Sequence, residues 1–185
     1  MLRRLLVSAL VLTGVVAGSL GTAHAATVSP DKWAPKFCNA VVDYRQTISQ
    51  KADSMTSALE TTTDLDAARA QIVTFLGDMV TAAKTAKSQI QHAGSPSTPN
   101  GSKIVAKFAG GLDASAKVFA KSKAEAAKIS TTSVESFKID GKKVGSNLTA
   151  AGDALNKSFS GIGKLDKGKK LEAAVKAAPE CASIA

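Results

Sequence analysis

The chain has 185 residues, only 4% of them aromatic, and a formal charge of +9 from 24 basic and 15 acidic side chains. Its length suits one domain with a real core. Two histidines and two cysteines leave little room for histidine-based catalysis or a thiolate metal site.

The N-terminal stretch carries the three parts of a secretory signal. Met1-Leu2-Arg3-Arg4 is a positive start, Leu5 to Gly21 is an uncharged and largely apolar run, and Ala23-His24-Ala25 supplies the small residues of a cleavage site. The run approaches membrane-spanning length, but its Gly, Ser and Thr content and A-x-A ending favour cleavage over a retained anchor. Residues 1–25 are therefore expected to be a removed signal peptide and 26–185 a single secreted or extracytoplasmic domain. No second long apolar run follows, so no transmembrane span is expected in the mature chain.

Four segments repeat apolar residues at helical spacing. In the first, Trp33, Phe37, Val41, Tyr44, Ile48, Ala52, Met55 and Leu59 fall on one stripe, opened by Ser29-Pro30-Asp31 as cap, first-turn proline and acid near the positive helix end. The second runs over about 65–90 through Leu65, Ala68, Ile72, Phe75, Met79, Ala83, Ala86 and Ile90, with Thr63 to Asp66 able to cap it. GSPSTPNGS over 94–102 is the clearest loop. The third stripe is Ile104, Phe108, Leu112, Ser115, Phe119, Ser122, Ala126 and Ile129.

Thr132-Ser133-Val134-Glu135 has the pattern of a capping box and restarts the chain. The fourth stripe is Val134, Phe137, Gly141, Val144, Leu148, Ala151, Leu155, Phe159 and Ile162, and a shorter helix over about 165–178 ends before Pro179. β-Branched alternation is nearly absent, which argues against a sheet. The expected fold is all-α: an up-down-up-down four-helix bundle with a short C-terminal fifth helix. Glycines 110, 111, 141, 145, 152, 161 and 163 weaken the third and fourth helices. Close backbone approach explains them better than a half that opens for a ligand.

Cys38 and Cys181 stand near opposite ends of the mature chain. An even count in an oxidising compartment favours a disulfide over two buried thiols, and an even-numbered bundle brings the two ends together. No metal ligands or cofactor are expected, and no catalytic residues. His92 falls where a histidine suits a helix C-terminus. Ser29-x-x-Lys32 lacks the companion elements of serine acyl enzymes. Asp64 and Asp66 point to different helix faces, and Asp43 and Asp53 read as solvated charges. Tyr44 lies on the apolar stripe, which fits a packed tyrosine better than a haem ligand. Asn100, Asn147 and Asn156 open glycosylation tripeptides, a pattern common by chance.

Charge is the one feature with a functional leaning. Residues 26–95 hold 7 basic and 7 acidic side chains, whereas 96–185 hold 15 and 8, and every basic residue of the second stretch is lysine. Lys138, Lys142, Lys143, Lys164, Lys167, Lys169 and Lys170 form the candidate surface for an anionic partner, either anionic lipid or a cell-wall polymer. Scarce arginine and the lack of interleaved aromatics disfavour nucleic acid.

The signal, the Ala- and Lys-rich helices, the sparse aromatics and the single terminal cysteine pair together resemble small secreted helical proteins of high-GC Gram-positive bacteria. That resemblance spans the chain in style and transfers no site residues. The leading expectation is a non-enzymatic binding or interaction module of the cell envelope or extracellular space, its basic second half facing an anionic partner. The alternative is a carrier of an apolar small molecule held between the third and fourth helices.

Overall fold

The computed structural model describes residues 27–160 and 162–183, apart from the side chains of 150, 151 and 154–159. The expected signal peptide, residues 1–25, lies outside the described residues. The order of elements is β1 (Thr27–Val28), α1 (Pro30–Thr61), α2 (Leu65–His92), β2 (Ser95–Pro96), α3 (Gly101–Ala126), α4 (Val134–Phe159), α5 (Ile162–Leu165) and α6 (Lys170–Ala177), then a 3-10 turn over Pro179–Cys181.

The chain is mostly helical, as the periodicity predicts, with one small addition. β1 and β2 pair in parallel, Thr27 opposite Ser95 and Val28 opposite Pro96, and the Ser97 N–H donates to the Val28 carbonyl at 2.7 Å. Two residues per strand fall below any alternation signal. Pro96 lacks an N–H to donate, which keeps the pair short. This patch ties the chain preceding α1 to the loop after α2.

The stripes of α1 to α3 become the inner faces. Trp33, Phe37 and Tyr44 are buried, and Val41, Ile48, Ala52, Met55 and Leu59 are half-buried as α1 runs outward. Buried positions in α2 and α3 include Met79, Ala83, Ala86, Ile90, Ile104, Leu112, Ser115 and Ser122, all on the expected stripes. Helix starts differ in detail. Ser29 caps α1 through its carbonyl, which accepts from the N–H groups of Lys32 and Trp33, and its hydroxyl makes no cap bond. Asp64 caps α2 by accepting the Asp66 N–H at 2.9 Å.

At α4 the cap is Ser133, whose Oγ accepts the Ser136 N–H at 3.1 Å. The expected capping box of Thr132 and Glu135 is thus displaced by one residue. The displacement makes Val134 the first helical residue and leaves it 56% exposed, off the apolar face assigned to it.

Cross-helix pairs show how consecutive helices run. Asp43 meets Gln89 and Lys51 meets Asp78 between α1 and α2; Lys87 meets Asp113, and Arg69 reaches the Ile129 carbonyl just past α3. Glu125 meets Asn147, and Lys107 donates to the Ser160 carbonyl at 2.9 Å. Residue numbers rise on one helix as they fall on the next, so each neighbour is antiparallel to the last. On its other flank α1 carries α6 and the 3-10 turn.

Burial is concentrated in two clusters. The larger joins Trp33, Phe37, Ile90, Ile104, Leu112 and Leu171 around Cys38 and Cys181. The smaller is Leu76, Ala126, Ile129 and Val144, between α2, α3 and α4.

Two glycines have a steric reason to be glycine. Gly94 has φ 84°, and a Cβ on Gly101 would lie 1.8 Å from the Pro96 carbonyl oxygen. The close approach expected along α3 and α4 is not found at Gly110, Gly141, Gly145, Gly152 or Gly163, where a Cβ would meet nothing within 4 Å. Gly111 is buried. Gly161 lies outside the described residues.

Candidate functional site: an apolar cleft at the disulfide end

Cys38 and Cys181 are bonded, with Cα atoms 5.1 Å apart and both residues fully buried. The bond anchors the C-terminal segment against α1. Other ties hold the same segment: Asn100 Nδ2 donates to the Leu165 carbonyl at 2.9 Å, and Arg45 donates to the Ser183 carbonyl at 3.2 Å.

The short helix expected over 165–178 starts late, as α6 at Lys170, and Leu165 instead ends the separate four-residue α5. Asp166 is the cause. Its buried carboxylate accepts the N–H groups of Leu171 and Glu172, each at 2.9 Å, and so caps α6 from four residues upstream of its start. Reaching that geometry requires a tight turn, in which Lys169 adopts the left-handed conformation at φ 50°. Leu171 and Val175, one helical turn apart, then face the body of the protein.

Between α1, α3, α5 and α6 lies a cleft of about 320 Å³, partly open to solvent. Trp33, Phe37, Ile104, Phe108, Leu171 and Val175 form its walls. Trp33 and Phe37 stack with ring centres 4.6 Å apart, and Phe37 meets Phe108 at 4.5 Å with the rings tilted by 55°. The indole N–H is satisfied by the Gly94 carbonyl at 3.0 Å, which fixes the ring plane from behind. The protein has eight aromatic residues, and three of them, including its only tryptophan, wall this one space.

The polar edge of the cleft comes from Asp166, Glu172 and Lys176. Asp166 is engaged by backbone N–H groups, and Lys176 donates to Glu172 at 2.7 Å. That hydrogen bond, with the charges of Lys176 and Lys169, holds the Glu172 carboxyl below the usual carboxylate range. Neither acid is an unpaired charge.

The seven lysines singled out by the sequence are all exposed, and they fall in two groups. Lys138, Lys142 and Lys143 lie on the first half of α4, where Lys143 pairs with Asp140 at 2.9 Å. That bond, with the N–H of Ser130, holds the Asp140 carboxyl below its ordinary value. Lys164, Lys167, Lys169 and Lys170 belong to α5, α6 and the turn between them. From Lys143 to the end of α4 is about 24 Å along the helix axis, so the groups sit towards opposite ends of α4. The second group is the one beside the cleft: Lys164 follows Gly163 and Lys170 precedes Leu171, both lining residues.

The remaining candidates have local roles. His92 ends α2 and its Nδ1 bonds the Ser88 carbonyl at 2.8 Å. Asp64 is a cap, while Asp66 pairs with Arg69 at 2.6 Å. Tyr44 is buried, and burial raises its phenol above the usual value. Asn100 and Asn147 use their side-chain amides inside the fold, and the Asn156 side chain lies outside the described residues. Among the described residues no group of three His, Cys, Asp or Glu side chains is placed to hold a metal ion, and no helix is long and apolar enough to cross a membrane. Compared with protein families, with curated proteins and with solved structures, the chain matches none.

The sequence did not single out the cleft. Trp33, Phe37 and Phe108 each fall on an apolar stripe, and a stripe does not distinguish a core position from a cavity wall. The available clue was the pairing of rare aromatics with the cysteine at position 38.

Proposed function

We propose that this protein is an exported, non-enzymatic binding module that carries an apolar small molecule in the cleft between α1, α3, α5 and α6. One observation carries the proposal: in a chain packed largely with alanine, three of eight aromatic residues gather at one partly open cavity, Phe108 at its surface and the buried Trp33 and Phe37 behind it. Aromatic-walled concavities with few polar groups are the usual form of small-molecule sites. The scaffold on this view is an up-down-up-down bundle to which α6 adds a wall, and the antiparallel helix pairs support it. The buried disulfide and the signal-like N-terminal sequence support an extracytoplasmic location.

Trp33 supplies the assay, because it is the only tryptophan and lines the cleft. Titration with decanol is expected to change its fluorescence saturably at 1:1 stoichiometry, and Val175→Trp, which fills the mouth, to abolish binding as read by calorimetry. Absence of a saturable response in the wild-type protein overturns the proposal. Native mass spectrometry of the protein secreted by its own host would then identify the resident ligand.

The first lysine group favours a second activity on a different surface. Lys138 and Lys142, one turn apart on α4, are exposed beside Ile139, itself 53% exposed. A basic face with an apolar residue suits anionic lipid or wall polymer. Vesicle or wall-polymer binding that weakens steeply with salt is expected, and salt-independent retention counts against it.

A further inference from the structure

The cleft reading leaves the chemistry of the ligand open, and the surroundings of the cleft narrow it. Its volume of about 320 Å³ lies at the low end of the range for small-molecule sites, roughly 300–1,000 Å³. That is room for one alkyl chain and not for the two chains of a diacyl lipid. The walls from α1 and α3 are apolar, and every charged lining residue comes from α5, α6 or the turn between them. The polar end of a bound molecule therefore faces that segment.

Three charged residues line the cleft itself, Asp166, Glu172 and Lys176, and the segment that carries them is positive overall. Residues 163–176 contain five lysines and two carboxylates. Asp166 is committed to two backbone N–H groups and Glu172 to Lys176. No ion-pair partner lies within 4 Å of Lys164, Lys167 or Lys170 among the described residues. A cationic head would meet this surplus with repulsion. A doubly charged phosphate would gain from the lysines and be opposed by two carboxylates at the same edge. A singly charged head feels half of both, and drawing it partly out of water at the mouth of an apolar cleft costs much less than for a dianion, because that cost grows with the square of the charge.

We infer that the ligand is a single-chain fatty carboxylate, its chain in the Trp33–Phe37–Phe108 cleft and its head attracted by Lys164 and Lys170. This inference rests on the proposed cleft function and names the class of molecule for that same site.

The experiment compares four ten-carbon probes on the full secreted domain at pH 7.5 and low salt: decanol, decanoate, decyl phosphate and decyltrimethylammonium. Trp33 fluorescence and calorimetry report binding. Decanoate, although more soluble in water than decanol, is expected to bind about five- to tenfold tighter, the size of two exposed charge contacts. The cationic probe is expected to bind weakest. At 0.5 M NaCl the advantage of decanoate should shrink, because exposed charges are screened. In Lys164→Gln/Lys170→Gln the advantage should vanish while decanol affinity and melting temperature stay unchanged.

If decanol binds and decanoate shows no advantage, or keeps its advantage in the double variant, the inference is wrong and the cleft function stands. If decyl phosphate binds tighter than decanoate, the carboxylate assignment is wrong. Should none of the four bind, the cleft function falls together with the inference.

Discussion

Replacing Gly110, Gly141 and Gly145 with alanine is expected to stabilise the protein. All three are inside α3 or α4, and a Cβ added at any of them meets no atom within 4 Å. Alanine removes the helix-propensity deficit of glycine, about 1 kcal/mol per site. Some of that gain comes from restricting the unfolded chain rather than from new contacts. Gly141 and Gly145 are one turn apart, so their effects are not strictly independent, and the sum for three sites is about 2–3 kcal/mol. For a domain of this size the melting temperature should rise by about 4–12 °C. Thermal unfolding followed by circular dichroism, with urea titration for the free energy, measures it. A fall in stability for any single variant would refute the reasoning, because it would mean that the backbone approaches something at that position. A gain in stability with loss of decanol binding would instead revive the alternative account of these glycines, that α3 and α4 must yield to admit a ligand.

Three further outcomes follow from single features. Ser115 and Ser122 are fully buried with hydroxyls that have no hydrogen-bond partner among the described residues, so Ser115→Ala and Ser122→Ala should each stabilise by about 1 kcal/mol or more in urea titration, and destabilisation would indicate an ordered partner such as water. The Asp113 carboxyl, hydrogen-bonded to Lys87 and Lys117, is held at about 2 rather than 3.8, so its contribution is complete above pH 4 and lost as pH falls through 2; NMR titration of its side chain should show the low midpoint, and an ordinary midpoint means that the α2–α3 pair is not formed in solution. Gly101→Ala should be strongly destabilising, by several kcal/mol, because its Cβ would occupy the position of the Pro96 carbonyl; an unchanged urea midpoint would show that the loop gives way freely.

The helices and the chain-end pairing were legible because each rests on a repeated signal. Stripes such as Ile72, Met79, Ala83 and Ile90 sum many weak preferences into one face, and many buried positions follow them, although Leu76 rather than Phe75 is buried in α2 and Val105, Ala109 and Ala116 widen the buried face of α3. Cys38 and Cys181 form the bond expected of them. Features made by one residue were harder to see. Nothing periodic marks Asp166 as the cap of α6, because a carboxylate four residues before a helix is met in many loops. The shift of the α4 start by one residue turned on a choice between two adjacent hydroxyls, Thr132 and Ser133, each with an acceptable pattern. The lysine surplus was visible as a count, but its division between the two ends of α4 needed the helix direction. For the cleft the missing knowledge was which stripe residues lack a neighbour, and that depends on how far α6 sits from α1 and α3.

The disulfide bears on that last distance. α6 has eight residues, too few to persist as a helix without tertiary support. Its support is the Asp166 cap, the burial of Leu171 and Ala174, and the covalent anchor three residues beyond Ala178. The bond closes a loop of 143 residues, for which loop-closure entropy gives about 5 kcal/mol. Cys38→Ala/Cys181→Ala should therefore lose about that much in urea titration. If the bond also holds the cleft wall, a second effect is expected under conditions where circular dichroism shows the helices intact. Leu171 and Val175 would lose their fixed distance from Phe37 and Phe108, Trp33 emission would shift to longer wavelength, and decanol affinity would fall by about tenfold or more. Loss of stability with unchanged Trp33 emission and unchanged affinity would show that the cap and the apolar contacts alone position α6. The disulfide would then act on the unfolded chain and not on the site.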